Sequence, residues 1–370
     1  MKKIMIIVLL IALVACGKKE PERYSQTSYS SGFDTVFQLI GYTESKEKYL
    51  EYFELMETES MRYHMLFDKF HTYENLNNIK TINDNAGIAP VKVHQDIIDL
   101  LLFSKEFSEE SGYSFDVSLG ALITFWQDLR DEGKELNGEG IYPEPPTVEQ
   151  VEAFRNLRGY EYIEIDEEAS TVYITNKDIS IDVGSVAKGY AVEKVAQKLY
   201  DAGLVNGVLN GGGNVRILGD KPDNELWGVG IESPTKLGNV DVINIGSNYS
   251  LVTSGDYERY YIDSEGTHQH HLIDPVTLFP VRGKRSVTVI MKDSGKADAL
   301  STVLFVKELS DAVAFVEQYN LSNTDDPIHA VWIFDEMPTE TFPNTFVLEN
   351  SGFYLLYTNN TKEFSKNSNS

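Results

Sequence analysis

Apolar residues are spaced along this chain in ways that separate its elements. Residues 4–15 are apolar throughout, behind Lys2 and Lys3. Such a run is too short to cross a bilayer and is of the kind that directs secretion. Residues 17–31 (GKKEPERYSQTSYSS) are mostly polar and predict a flexible tether. From Phe33 the stretch FDTVFQLIGY predicts a strand. Residues 44–66 and 94–111 predict helices; in the second, Ile97, Ile98, Leu101, Leu102 and Lys105 fall at helical spacing along an apolar stripe. Residues 131–146 are rich in Gly, Pro and Glu and read as a surface loop. Thr147 with Gln150 reads as a capping box opening a helix to about Leu157. Strands are expected at 160–165, 171–175 and 179–183.

The clearest helix runs from Ser185 to Tyr200. Ala187, Ala191, Val195 and Leu199 form one stripe, and Gly203 suits the C-terminal cap. Short strands and glycine turns follow to about residue 291, and two helices cover roughly 296–320. The last strands end near Tyr357, and residues 359–370 (NNTKEFSKNSNS) predict a disordered tail. There is no steady βαβ rhythm and no internal repeat. The expectation is therefore an α+β fold with mainly antiparallel sheet, in one large domain over residues 32–358.

Composition sharpens this. Hydrophobic residues make up 42% and aromatics 11% of the 370 residues, which is the profile of a packed chain. The net charge of −25 excludes nucleic acid as a partner, because that binding rests on Lys and Arg neutralising phosphates. It equally excludes a polybasic membrane contact, so any membrane attachment would fall to lipid. An anionic substrate would be repelled at long range, so a phosphate site here must carry its own cations or metal. Cys16 is the only cysteine, which precludes an intramolecular disulfide. Set behind Leu13-Val14-Ala15, it resembles the cleavage site of a bacterial lipoprotein signal. That implies a signal over residues 1–16, a lipidated Cys16, and a protein anchored on the outer side of the cell membrane.

Five stretches carry candidate chemistry. In Tyr113-Ser114-Phe115-Asp116-Val117, the carboxylate either caps the next turn or meets the edge of a heterocycle. In Ile181-Asp182-Val183-Gly184-Ser185-Val186-Ala187-Lys188-Gly189, a strand enters a helix whose free N–H groups attract phosphate. Lys188 lies in that first turn, against the helix dipole, which points to a nearby anion unless the side chain is merely exposed. The spacing is not that of a Walker loop. The glycines of Asn210-Gly211-Gly212-Gly213-Asn214 make a tight turn or admit a ligand to the backbone. The fourth stretch pairs TSGDYER (253–259) with His270-His271-Leu272-Ile273-Asp274-Pro275. Adjacent strand histidines point to opposite faces, so one can serve as a base while the other packs, and they are not a helical zinc pair. In Ala297-Asp298-Ala299-Leu300-Ser301-Thr302, Asp298 and Thr302 stand one turn apart, placed to hold a hard cation through oxygen, or Asp298 simply caps the helix.

Taken in order, these stretches resemble the ApbE family of FAD:protein FMN transferases, densest over residues 181–302. The resemblance implies a Mg²⁺-dependent reaction in which FAD is the substrate, AMP leaves, and FMN is joined by a phosphoester to a Thr or Ser of a separate flavin-accepting protein. Such acceptors would be subunits of electron-transfer or ion-pumping complexes. By matching position it implies Ser185, Asp298 and Thr302 as metal ligands. Phe33, Tyr73, Ser114, Phe115, Asp116, Asp182, Lys188 and Ile273 are implied as FAD contacts. Phe33 starts a Phe-Asp-Thr where the family has Met-Gly-Thr. His270 or His271 is the candidate for deprotonating the acceptor. Two rivals share these residues: a Mg²⁺-dependent FAD pyrophosphatase, and a lipid-anchored flavin carrier without catalysis.

Overall fold

The computed structural model describes residues 20–367. The apolar run 4–15 and Cys16 lie outside the described residues. No helix among those described is long and apolar enough to cross a membrane.

A nine-stranded antiparallel sheet organises the fold. Its spatial order is Glu22–Ser28, Phe37–Thr43, Gly207–Gly211, Asn214–Gly219, Ser250–Gly255, Ser286–Met291, His329–Phe334, Phe353–Thr358 and Thr345–Asn350. Two inner strands, Ser286–Met291 and His329–Phe334, are buried at every position, so both faces of the sheet are covered there. Alternation along the strands sorts residues between two cores. Leu209, Val252 and Val289 point to a helical layer, while Val208, Leu251 and Ile290 meet the hairpin of Trp227–Glu232 and Asn239–Ile245. The helical layer includes Lys46–Phe67, Ala187–Asp201 and Ser294–Val306. The last of these is buried on nearly all sides, its polar Asp298 and Ser301 included. A small third core of Leu122, Trp126, Ile273 and Leu278 lies under the Gly120–Gly138 helix.

The α+β class and the antiparallel sheet agree with the sequence expectation, as do the helices near 46–67, 95–110 and 187–201. Gly203 follows the third with a φ of 107°, the left-handed angle that a C-terminal glycine supplies. Four stretches differ. Residues 131–138 continue a helix instead of looping, because Gly133 serves close packing: a Cβ there would sit 2.5 Å from the Tyr261 ring. The expected tether contains a strand, Glu22–Ser28, paired along its length with Phe37–Thr43 and with Tyr24 stacked on Tyr49. Residues 179–183 are extended but form only one bridge, Leu119 with Ser180. The expected disordered tail forms a 3-10 turn over Asn359–Glu363, and Phe364 packs against His329 at 4.8 Å.

Candidate active site

The site starts from an uncapped helix. The Ala187–Asp201 helix has no side-chain cap of its own, and its Gly189 N–H donates instead to Asp298 Oδ2 at 2.7 Å. Asp298 comes from the middle of the Ser294–Val306 helix, whose cap is Asp293. The two helices touch so closely that a Cβ on Gly189 would meet the Asp298 Cβ at 2.4 Å. Asp298 therefore does not cap its own helix; it is a buried carboxylate, 7% exposed, held by one donor from a neighbouring helix. Burial pushes its carboxyl above the usual range, opposed by the charge of Lys188, the Gly189 N–H and the neighbouring Asn214 amide. Thr302, one turn on, places Oγ1 3.5 Å from the Asp298 carbonyl. Ser185 stands in the turn that feeds the helix, four residues before Gly189. The buried Asn214 amide lies beside Gly189 with neither of its polar atoms hydrogen-bonded.

Lys188 is turned inward, not exposed. Its Nζ donates to the Gly212 carbonyl at 2.9 Å, and burial pushes its ammonium down while the Asp298 charge opposes. Gly212 and Gly213 carry φ of 56° and 90°, the angles of a two-residue hairpin turn. The turn is also a close approach, since Gly212 N–H donates to the Val36 carbonyl and a Cβ at Gly212 would sit 2.2 Å from Thr35 Oγ1. The tight-turn reading of the glycines holds. Phe33 and Asp34 enter this corner with φ of 59° and 50°. Asp34 thus bears a left-handed angle at the position where the resembled pattern has glycine.

The paired histidines separate cleanly. His270 is buried with Nε2 2.6 Å from the Val281 carbonyl and Nδ1 accepting the Leu272 N–H at 3.2 Å. Both ring nitrogens are engaged, so His270 is the packed one of the pair. Burial pushes its pKa down to about 4. His271 is half-buried, and its Nδ1, shielded from solvent, has no partner. Burial, then the charges of His270, Arg259, Arg130 and Lys188, hold it well below the ordinary histidine range, so the ring is neutral. Arg259, Arg130 and Lys188 are the cations that act on it, in a protein of net charge −25.

The remaining candidates differ in exposure and in their partners. Tyr73 donates to Asp68 Oδ2 at 2.7 Å. Asp68 also accepts from Phe70, His71 and the His71 ring, and these bonds outweigh burial to keep its carboxyl low. His64 accepts the Phe33 N–H at 3.1 Å and lies 3.5 Å from the Tyr73 hydroxyl, tying two expected contacts together. Asp182 pairs with Lys69 at 2.6 Å and accepts the Gly184 N–H. Asp116 accepts from Ser118 N and Oγ, which is the capping reading, and burial raises its carboxyl. Ser114 is half-buried beside it, whereas Phe115 is packed edge-on against Phe107 in the core. Ile273 is buried and bridged to Pro280. Sequence reasoning missed Asn214, His64, Asp68 and Arg130; the first lay inside a highlighted motif, and the others carried no spacing signal.

The donors available to a metal are a carboxylate, a threonine hydroxyl and a serine hydroxyl, all oxygens. No group of three His, Cys, Asp or Glu residues suited to a metal occurs among the described residues. One open carboxylate with neutral oxygens suits a hard cation that shares its shell with substrate phosphates and water. A separate cavity of about 570 Å³, bordered by Glu20, Asp220 and Asn248, lies at the opposite end of the glycine hairpin and contains none of these groups.

Comparison with known proteins identifies the family. The ApbE family model matches residues 33–324. The chain is 29% identical over 260 residues to the FAD:protein FMN transferase of Haemophilus influenzae, covering 69% of this chain and 72% of that one. It is 28% identical over 315 residues to that of Vibrio cholerae, covering 84% and 89%. The crystal structure of the ApbE protein from Thermotoga maritima superposes with a TM-score of 0.71 at 28% identity, covering 85% of this chain and 95% of that one.

Proposed function

The chain belongs to the ApbE family, and on that footing we propose that it moves FMN from FAD to a threonine or serine hydroxyl of a separate protein, releasing AMP. The observation that carries the reading is the under-paired Asp298 beside Lys188, with Thr302 one turn away and neutral His271 among cations. Asp298, Thr302 and Ser185 would hold Mg²⁺, which supplies charge neutralisation at the pyrophosphate.

The chain's own groups do the rest. Lys188 supplies fixed positive charge where the diphosphate must lie, inside a protein whose overall charge repels it. His271 Nδ1 takes the proton of the acceptor hydroxyl. The hydroxyl oxygen then bonds to the flavin-side phosphorus as the bond from that phosphorus to the bridging oxygen breaks. AMP departs with the bridging oxygen and the electron pair. The acceptor loop enters beside the half-buried His271, and anchorage through Cys16 on the outer side of the cell membrane would place the acceptor there too.

The test is to incubate the chain lacking residues 1–16 with FAD and Mg²⁺, with and without a flavin-accepting domain. AMP release and the acceptor's intact mass are followed, with Asp298→Ala as control. A gain of one FMN that the variant loses is expected. Equal AMP release without acceptor and no mass gain would convert the reading to a pyrophosphatase. Bound and uncleaved FAD throughout would leave a carrier.

A further inference from the structure

The Ser294–Val306 helix carries Asp298 and Thr302, and both of its ends are held from outside. At its start the Ser294 N–H donates to Glu193 Oε2 at 2.9 Å. That carboxylate is fixed in turn by Arg216, through Nε at 2.8 Å and Nη2 at 3.1 Å. At its finish the buried Lys284 donates Nζ to the carbonyls of Phe305 at 3.0 Å and Lys307 at 2.5 Å. The Trp332 indole donates to the Leu304 carbonyl beside them. An anion at the first turn and a cation at the last both agree with the helix dipole.

Glu193 stands four residues after Gly189 on one helix, and Ser294 four before Asp298 on the other. The bond from Gly189 N–H to Asp298 and the bond from Ser294 N–H to Glu193 are therefore two rungs, one turn apart, between antiparallel helices. Each helix lends the other a carboxylate. The contact has no slack, since a Cβ on Gly189 would also lie 2.4 Å from the Ser294 carbonyl oxygen. A slide of one residue's rise, about 1.5 Å, would break the Gly189 bond. The next helix, Leu309–Ser322, packs in the same layer and carries no candidate group; it has no side-chain cap. Holding a helix end with lysine is also expensive here. Burial pulls the Lys284 ammonium down to about 8, against the charges of Glu308 and Asp274.

We propose that Glu193 and Lys284 are positioning residues, which fix the Ser294–Val306 helix along its axis and so set where Asp298 and Thr302 stand against the Ala187–Asp201 helix. The inference rests on reading that corner as the transfer site. Both residues act through the helix, not on the substrate.

Position is read by hydrogen exchange at the Gly189 amide, a first-turn N–H without an intrahelical acceptor, followed by NMR in the folded chain. It is taken as a ratio to exchange in the Ser286–Met291 strand, so that global opening cancels. Glu193→Ala and Lys284→Met should each raise that ratio about tenfold. Both should lower kcat for flavin transfer about tenfold to a hundredfold, with KM for the acceptor unchanged. Glu193→Gln, whose amide oxygen can still accept the Ser294 N–H, should restore most of both. Asp241→Ala, which weakens the fold away from this helix, should leave the ratio alone. The proposal is overturned if the ratio stays at the parent value in both variants, if Asp241→Ala raises it as much, or if Glu193→Gln does not restore it. It is equally overturned if both variants unfold, or if the ratio rises while an active parent's kcat is kept. A raised and rescued ratio, beside a parent chain that moves no FMN and releases no AMP, would keep the clamp and sink the transferase.

Discussion

Asp241 and Asp298 are both buried, 3% and 7% exposed, and both lie on elements packed against the same sheet. Asp241 is saturated. Its Oδ2 accepts from Tyr357 at 2.9 Å and Ser365 at 2.7 Å, and its Oδ1 from the Val242 N–H. Asp298 accepts from Gly189 and sits among Lys188, an unpaired Asn214 and a half-buried threonine. The same contrast runs through the other residue types. Arg216 grips Glu193 with two nitrogens, whereas Arg130 has no carboxylate. His270 has both nitrogens engaged, whereas His271 has an open one. Saturated groups hold the fold together, whereas the unpaired Asn214 and Ser294 side chains flank the junction of the two helices beside Asp298.

Breaking this comparison calls for substitutions in pairs. Asp298→Asn keeps the shape and should cost about a thousandfold or more in flavin transfer, with Tm unchanged or slightly higher; retained activity would place the chemistry elsewhere. Asp241→Ala should do the reverse. It strands three donors and should lower stability by about 3 kcal/mol in urea unfolding, with transfer per folded molecule unaltered. His271→Asn should slow transfer about a hundredfold without changing the melt, while His270→Asn should lower the melt first; equal behaviour would erase the distinction between them. Acid provides the most graded test. Burial holds His270 and His329 at about 4, below the ordinary unfolded value near 6.5. The unfolded chain therefore binds more protons between those limits. Stability is full above about pH 6.5 and falls toward pH 4 by up to about 1.4 kcal/mol per pH unit for each histidine. Melts at pH 7.5 and 5 should show the loss, and His329→Gln should flatten it.

Periodicity made the long helices legible, because a stripe such as Ala187, Ala191, Val195 and Leu199 has one solution. It failed where a residue acts against its usual tendency. Gly133 reads as a breaker, yet it buries a helix against Tyr261. Polar residues 22–28 read as tether, yet an edge strand needs only backbone pairing and one stacked tyrosine. The tail reads as disordered until Phe364 and Ser365 find His329 and Asp241, contacts that span 35 and 124 residues of sequence. The candidate site was half legible. Asp298 and Thr302 announce themselves through spacing, and Lys188 through its odd place in a first turn. Which histidine is open, and that Arg130 lacks a carboxylate, are facts about missing partners, and a sequence does not display these.

The strand at Glu22–Ser28 sets a length that matters outside the fold. An attachment at Cys16 would leave residues 17–21 as the whole leash, and five residues reach at most about 18 Å when fully extended. The enzyme would ride close to the lipid surface, not sweep a wide volume above it. Acceptors would then be selected by how near the bilayer they present their hydroxyl, and a reach of that size serves neighbours in the same membrane better than proteins diffusing past it.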